Sequence, residues 1–328
     1  MLSAGLTAAR ALSVIERQTK NKYLKKIVQD ISTDIKSGKS LHEALQKYDK
    51  VFSKLFIAMA KVGEESGTLS QSLLTVAKQM DASFTLQKKI KGAMMYPSII
   101  VMAVIIIGVL MMIYVVPTLS ATFLSLGAEL PTATKVIIAT STFMAENAIA
   151  TILATIAFFA GVIMFLRSKL GGTVSLAVAL RLPIIGELVQ ETFSARAART
   201  LSSLLSSGVQ MLNAIDITFE VVGDNVFGKV VKEAGERVKK GEPLSSAFVE
   251  ASKLYPVFFS DMILVGEETG KVSELLTQIA QYYETDVEER TKDLSTIIEP
   301  MLMLFIGVFV GIFALAMITP IYSLSEKI

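Results

Sequence analysis

This chain writes one stretch twice. Val62-Gly63-Glu64-Glu65-Ser66-Gly67 returns 203 residues later as Val265-Gly266-Glu267-Glu268-Thr269-Gly270. The same offset pairs Gly5 with Gly208, Gly38 with Gly241, Pro97 with Pro300 and Pro117 with Pro320. No insertion or deletion is needed from residue 3 to residue 117, and about twenty positions are identical. Chance matches do not keep glycines and prolines in step over such a length, so the chain is a duplicated domain. Its 328 residues leave room for about two domains, in agreement.

The copies are not those of an ordinary soluble protein. Apolar residues make up 52% of the chain and mean hydropathy is +0.55, with the excess gathered in three stretches. That distribution places the protein in a membrane. Cysteine is absent, which excludes disulfide frameworks and thiolate metal sites, and the lone His42 cannot build an imidazole cluster. Met1 to Gln18 mixes Arg10, Glu16 and Arg17 into an amphipathic pattern rather than a signal peptide, so the start is expected on the cytoplasmic side. The net charge of +2 conceals an asymmetry: residues 1–96 carry 16 Lys/Arg against 8 Asp/Glu, residues 167–299 carry 14 against 19. A basic segment near an anionic leaflet and an acidic one in solvent would explain it, as would two copies facing different partners. Aromatic residues are not interleaved with the basic ones, which argues against nucleic acid.

Along the chain the expected fold class is an all-α membrane protein with two homologous cytoplasmic helical bundles and three transmembrane helices. Residues 1–96 read as the first bundle: helices from Gly5 to Gln18 and Asn21 to Lys36, a short one capped by Ser40 and running through Tyr48, one from Ser53 to Glu65, and a long one with Leu69, Leu73, Val76, Ala77 and Met80 on a common face. Residues 97–116 are an uncharged run of 20, long enough at about 1.5 Å per residue to cross a hydrocarbon core of about 30 Å. Residues 117–146, with Pro117, Gly127 and Pro131, read as an external loop and helix lead-in, and 147–166 as the second span. Residues 167–299 form the second bundle, 300–319 the third span and 320–328 a short external tail. Lys88, Lys89 and Lys91 before span one, and Arg167 and Lys169 after span two, place those ends in the cytoplasm. Pro97 and Pro300 suit the first turn of a helix, where a missing N–H costs nothing. Copy two also has a helix from Gln190 to Leu205 whose counterpart would precede Met1. The first bundle is therefore expected to expose an apolar groove that such a helix would fill.

The Leu or Val, two residues, Ala or Ser, Leu or Phe pattern after Gly38 and Gly241, the two Val-Gly-Glu-Glu turns, and the Tyr96-Pro97 and Glu299-Pro300 span starts closely resemble the type II secretion F family. Its members are inner-membrane platform proteins of type IV pilus and type II secretion machines, and the likeness runs through the whole chain in order. It implies a non-enzymatic, multi-pass inner-membrane protein without a cofactor, with its N-terminus in the cytoplasm. The partners it implies are a cytoplasmic assembly ATPase, pilin or pseudopilin subunits, other inner-membrane assembly proteins and further copies of the chain. Members of the family usually carry more N-terminal residues.

Several residues invite a chemical reading. Glu64-Glu65 and Glu267-Glu268 are paired carboxylates, but neighbours on a helix point about 100° apart and cannot close on one proton or ion. A structural role is expected: Gly63, Gly67, Gly266 and Gly270 for close packing and turns, one glutamate of each pair bonded to N–H groups in the turn, the other facing solvent or a partner. Ser37-Gly38-Lys39-Ser40 imitates the end of a phosphate-binding loop, but Thr33 stands where that loop needs glycine, so it reads as a helix stop and cap. Glu299 and Glu146 lie at span ends, where headgroup solvation suffices; Glu299 could also cap the helix that Pro300 opens or touch a pilin. Gly307 with Gly311, and Ala157 with Gly161, are small-residue pairs suited to helix contact. His42 is expected on a solvated face, with no paired role because its counterpart is Ser245. Met111 and Met112 read as packing. A small-molecule transporter or permease subunit is the alternative, and would need polar or broken helices near the bilayer midplane.

Overall fold

The computed structural model describes residues 1–125 and 131–325, and none of these forms a strand. Gly127 and residues 326–328 lie outside the described residues. Two compact units emerge: Met1–Lys88 together with Leu182–Glu289, and Lys89–Arg181 together with Arg290 onward.

Copy one occupies the first part of the first unit. Its helices are α1 (Ala8–Gln18), α2 (Lys22–Lys36), α3 (Leu41–Gln46), α4 (Lys54–Glu65) and the start of α5 (Leu69–Leu110). Each of the first four begins at a side-chain cap: Thr7, Asn21, Ser40 with Glu43 closing a reciprocal box, and Ser53. Gly5 does not open α1; it ends a short 3-10 turn at φ 80°, and Thr7 starts the helix. Ile27, Ile31, Leu41, Ala44, Leu45 and Ala60 form the core, with Phe52 stacked on Phe56 at its edge. On the part of α5 in the first unit the buried residues are Ser72, Val76 and Gln79, whereas Ala77 and Met80, expected to pack, are exposed.

The second unit departs further from expectation. The long helix of copy one runs on into the apolar stretch 97–116 as expected, but with Pro97 inside α5 rather than at a helix start; five residues of π-helix follow at Met111–Val115, and α6 (Val116–Ser125) continues from there. The expected loop 117–146 is helical on both sides of residues 126–130, through α6 and α7 (Thr132–Glu146). Apolar packing is the reason: Val116 and Phe123 are buried against Met112, Leu119, Ile137 and Ile138. A proline inside a helix leaves a carbonyl without its donor, and in hydrocarbon that carbonyl must find another. In the π frame before Pro117 the orphan is Met112, five residues back, and the buried hydroxyl of Ser141 on α7 donates to it at 2.5 Å. Next come α8 (Ala148–Arg167), with no buried residue, and α9 (Lys169–Ala179). An apolar helix with most of its surface exposed and only Ala148, Thr151, Thr155 and Phe159 half-buried suits a lipid surrounding. Residues 167–181, expected to head the second bundle, group instead with these apolar helices.

Copy two returns to the first unit with α10 (Ile185–Ser206), α11 (Met211–Val222), α12 (Val226–Lys239), α13 (Ser245–Glu250), α14 (Val257–Thr269) and the start of α15 (Val272–Ser325). Its core is aromatic where copy one is aliphatic, with Phe227, Phe248, Tyr255 and Phe259 fully buried and in mutual ring contact. Burial pushes the Tyr255 phenol well above its usual range, and its hydroxyl donates to the Phe227 carbonyl at 3.2 Å. The helix α10 is buried on almost every side. It meets α15 through a two-pronged pair from Arg199 to Glu284, and α5 through a bond donated by Gln79 to Thr200 at 3.1 Å. Lys54 and Glu220 add an ion pair between the copies. Pro300 also lies inside a helix, since α15 passes it without a break, so Glu299 has no helix start to cap.

Among the described residues, three helical paths are long and apolar enough to cross a membrane: Leu69–Phe123, Ala148–Arg167 and Val272–Leu315. Ser141→Ala is expected to cost about 0.5–1.5 kcal/mol, read from thermal unfolding in detergent, while Ser141→Thr keeps the hydroxyl and most of that stability.

Candidate functional site

The duplicated turn sets the same polar geometry twice in the first unit. Helix α4 ends at Glu65, and Gly67, in the left-handed region at φ 70°, reverses the chain into α5; Gly270 does the same at φ 71° between α14 and α15. The two helices at each turn cross almost in backbone contact. A Cβ on Gly63 would lie 2.8 Å from the Leu69 Cα, and one on Gly266 2.9 Å from the Val272 Cα. Only glycine allows that approach.

Immediately after each glycine comes the working carboxylate. Glu64 accepts from the backbone N–H groups of Leu41 and His42, and its Oε2 lies 2.6 Å from His42 Nδ1. Glu267 accepts from the N–H groups of Leu244 and Ser245, and from the Ser245 hydroxyl at 2.7 Å. One glutamate of each pair does bond backbone N–H groups. They belong not to the turn but to the start of the short helix 22 and 23 residues earlier, because helix starts carry unpaired donors and favour negative charge. His42 and Ser245 therefore share a role that the dissimilarity of their side chains concealed. The signal was available: both can hydrogen-bond, and both stand 22 residues before the glutamate. Glu65 and Glu268 are exposed, the former within 3.9 Å of Lys61. Each clamp spends its carboxylate on scaffold donors, so the geometry locks helices together rather than moving protons.

The remaining candidates are placed in the second unit. Tyr96, Glu299 and Pro300 are exposed along continuous helices, and Pro97 is buried. The face of α15 that meets α5 carries Phe305 and Phe309, which line an apolar groove of about 280 Å³ with Gly108 and Met112. Gly307 and Gly311 lie two residues along, about 200° round the helix, and a Cβ on either would meet nothing within 4 Å. Gly161 is equally open. None of these glycines makes a helix contact among the described residues.

Glu64→Ala and Glu267→Ala are each expected to lower unfolding free energy by about 1.5–3 kcal/mol in urea titrations, since each removes charged hydrogen bonds. Glu65→Ala and Glu268→Ala should stay within about 0.5 kcal/mol. His42→Ser, which copies the second clamp, should be better tolerated than His42→Ala.

The family described as Type II secretion system (T2SS), protein F matches residues 1–117 and 197–320, two stretches whose ends lie 203 residues apart, the offset of the duplication. The chain is 34% identical to the type IV pilus assembly protein PilC of Thermus thermophilus, over 99% of its own length and 80% of that protein's. It is 32% identical to PilC of Pseudomonas aeruginosa, over its full length and 88% of the relative, and 29% identical to type II secretion system protein F of the same organism, over its full length and 81% of the relative. With both copies matched in register and relatives above 30% identity along the whole chain, the protein belongs to the type II secretion system protein F family.

Proposed function

We propose that the protein is the inner-membrane platform of a type IV pilus or type II secretion machine, coupling a cytoplasmic ring ATPase to the insertion of pilin-like subunits. The observation that carries this reading is the family match over both copies in the register of the duplication, joined to relatives named for pilus assembly and for type II secretion. It is a structural and mechanical role, not catalysis. Lys88, Lys89, Lys91, Arg167 and Lys169 support a cytoplasmic N-terminus and cytoplasmic bundles.

Helices α5 and α15 each begin at a glycine turn in the first unit and run unbroken into an apolar span. A motor pressing on either copy moves the start of a helix whose other end lies in the bilayer. Pilin-like subunits meet that end, and Glu299, exposed beside Pro300, is a candidate contact for them. The open face with Gly307 and Gly311 serves a second copy of the chain.

Cross-linkers placed at the exposed positions Lys61, Glu65, Glu268 and Lys271 in living cells should capture the assembly ATPase; a solute-binding protein in its place would favour a transporter. Three glycines inserted after Lys91 should abolish filament assembly or secretion while leaving membrane insertion intact, and normal assembly would refute helix-borne coupling. Glu299→Gln should reduce assembly without reducing insertion.

A further inference from the structure

Helix α9 is set off from its neighbours by a built corner at each end. Ser168, extended at φ −75° and ψ 157°, parts it from α8; the Ser168 hydroxyl donates to the Phe165 carbonyl at 2.7 Å and accepts from the Gly171 N–H at 3.0 Å. Gly171 then lies so close to α8 that a Cβ there would stand 1.7 Å from the Phe165 carbonyl oxygen. Beyond the far end comes Pro183, and Ile184 takes φ 68°, the one non-glycine residue at positive φ among the described residues. A β-branched side chain is costly in that conformation. The two corners keep α9 from merging with α8 or α10.

With 11 residues α9 is about 16 Å long, roughly half of a hydrocarbon core of about 30 Å, so it cannot cross the bilayer that α8 is long enough to span. It is nonetheless apolar and open. Leu170 is 77% exposed, Val174 50% and Val178 52%, and together with exposed Ala177 they fall within about 100° of the helix circumference. From Asn147 to Gly186 the chain carries Arg167, Lys169 and Arg181 but no Asp or Glu, and Arg167 and Arg181 are exposed. An aliphatic stripe too short to span, with cations at both ends and no acid, has the chemistry of a helix lying in a headgroup layer, and of anionic headgroups in particular. We infer that α9 lies flat in the leaflet at which α8 ends, with Leu170, Val174 and Val178 among the acyl chains and Arg167 and Arg181 on anionic lipid headgroups. A protein partner fits less well, because the stripe offers no aromatic anchor and starts three residues after Arg167, the last residue of the span. The inference requires only that α8 crosses a bilayer, and it stands apart from the platform reading.

The chain has no cysteine, so a single introduced one reports its own position. The full chain carrying Val174→Cys or Val178→Cys is labelled with a small fluorophore and placed in nanodiscs of equal parts phosphatidylcholine and phosphatidylglycerol, which leave both faces open to solutes. Each label should be quenched by a nitroxide carried high on the acyl chain and shielded from acrylamide in the water, whereas a label on Glu268→Cys should be reached by acrylamide and not by the lipid nitroxide. Nanodiscs of phosphatidylcholine alone should raise acrylamide access at Val174→Cys by about threefold or more, and Arg167→Gln combined with Arg181→Gln should bring the same rise in the mixed lipid. All the substituted side chains are exposed, so circular dichroism and melting should match the parent. Acrylamide access at Val174→Cys equal to that at Glu268→Cys would overturn the proposal. So would a label shielded from both quenchers, which would put protein over the stripe, or shielding indifferent to lipid charge or to the loss of both arginines.

Discussion

Everything in the first unit hangs on two places where one helix backbone rests on another. At Gly63 against Leu69 and Gly266 against Val272 no side chain separates the helices, and that contact sets the angle at which α5 and α15 leave the turn. The glutamate next in sequence then reaches the start of a third helix. Three helices are thereby fixed relative to one another with one glycine and one carboxylate. Both halves of the device are needed: the glycine gives proximity, and the carboxylate gives direction, because its two oxygens each require a particular N–H.

Around that device the copies have been free to change. Leu24, Leu45, Phe52 and Phe56 of copy one stand where copy two has Phe227, Phe248, Tyr255 and Phe259, so an aliphatic core with a small aromatic edge has become a four-ring cluster without altering the helix order. The clamp tolerates imidazole in one copy and hydroxyl in the other. The backbone N–H groups do the same work in both. Divergence has run through side chains that pack or donate from many chemistries, and has spared positions where only backbone geometry serves.

Much of this was legible in the sequence, and the reasons are specific. Helix starts in copy one were readable because Asn21, Ser40 and Ser53 cap locally, within three residues. The left-handed turns were readable because few residues other than glycine accept φ near 70°. What eluded the sequence was long-range. Pro97 and Pro300 looked like helix starts because a proline's local preference carries no information about the apolar surroundings that let a helix run through it. The partner of Glu64 lay 22 residues upstream, beyond any turn motif, and Ser141 met Met112 across 29 residues. Met80 was assigned to the packed face by periodicity, which finds a stripe but not whether anything lies against it.

The burial of α10 has a thermodynamic meaning of its own. A helix with Thr200 bonded to α5 and Arg199 bonded to α15 belongs to neither copy alone. Loosening it breaks contacts to both copies at once, so the free energy of opening one copy contains a contribution from the other. The duplicated halves are thus coupled as a single cooperative element, and a force applied to one is resisted by the stability of both.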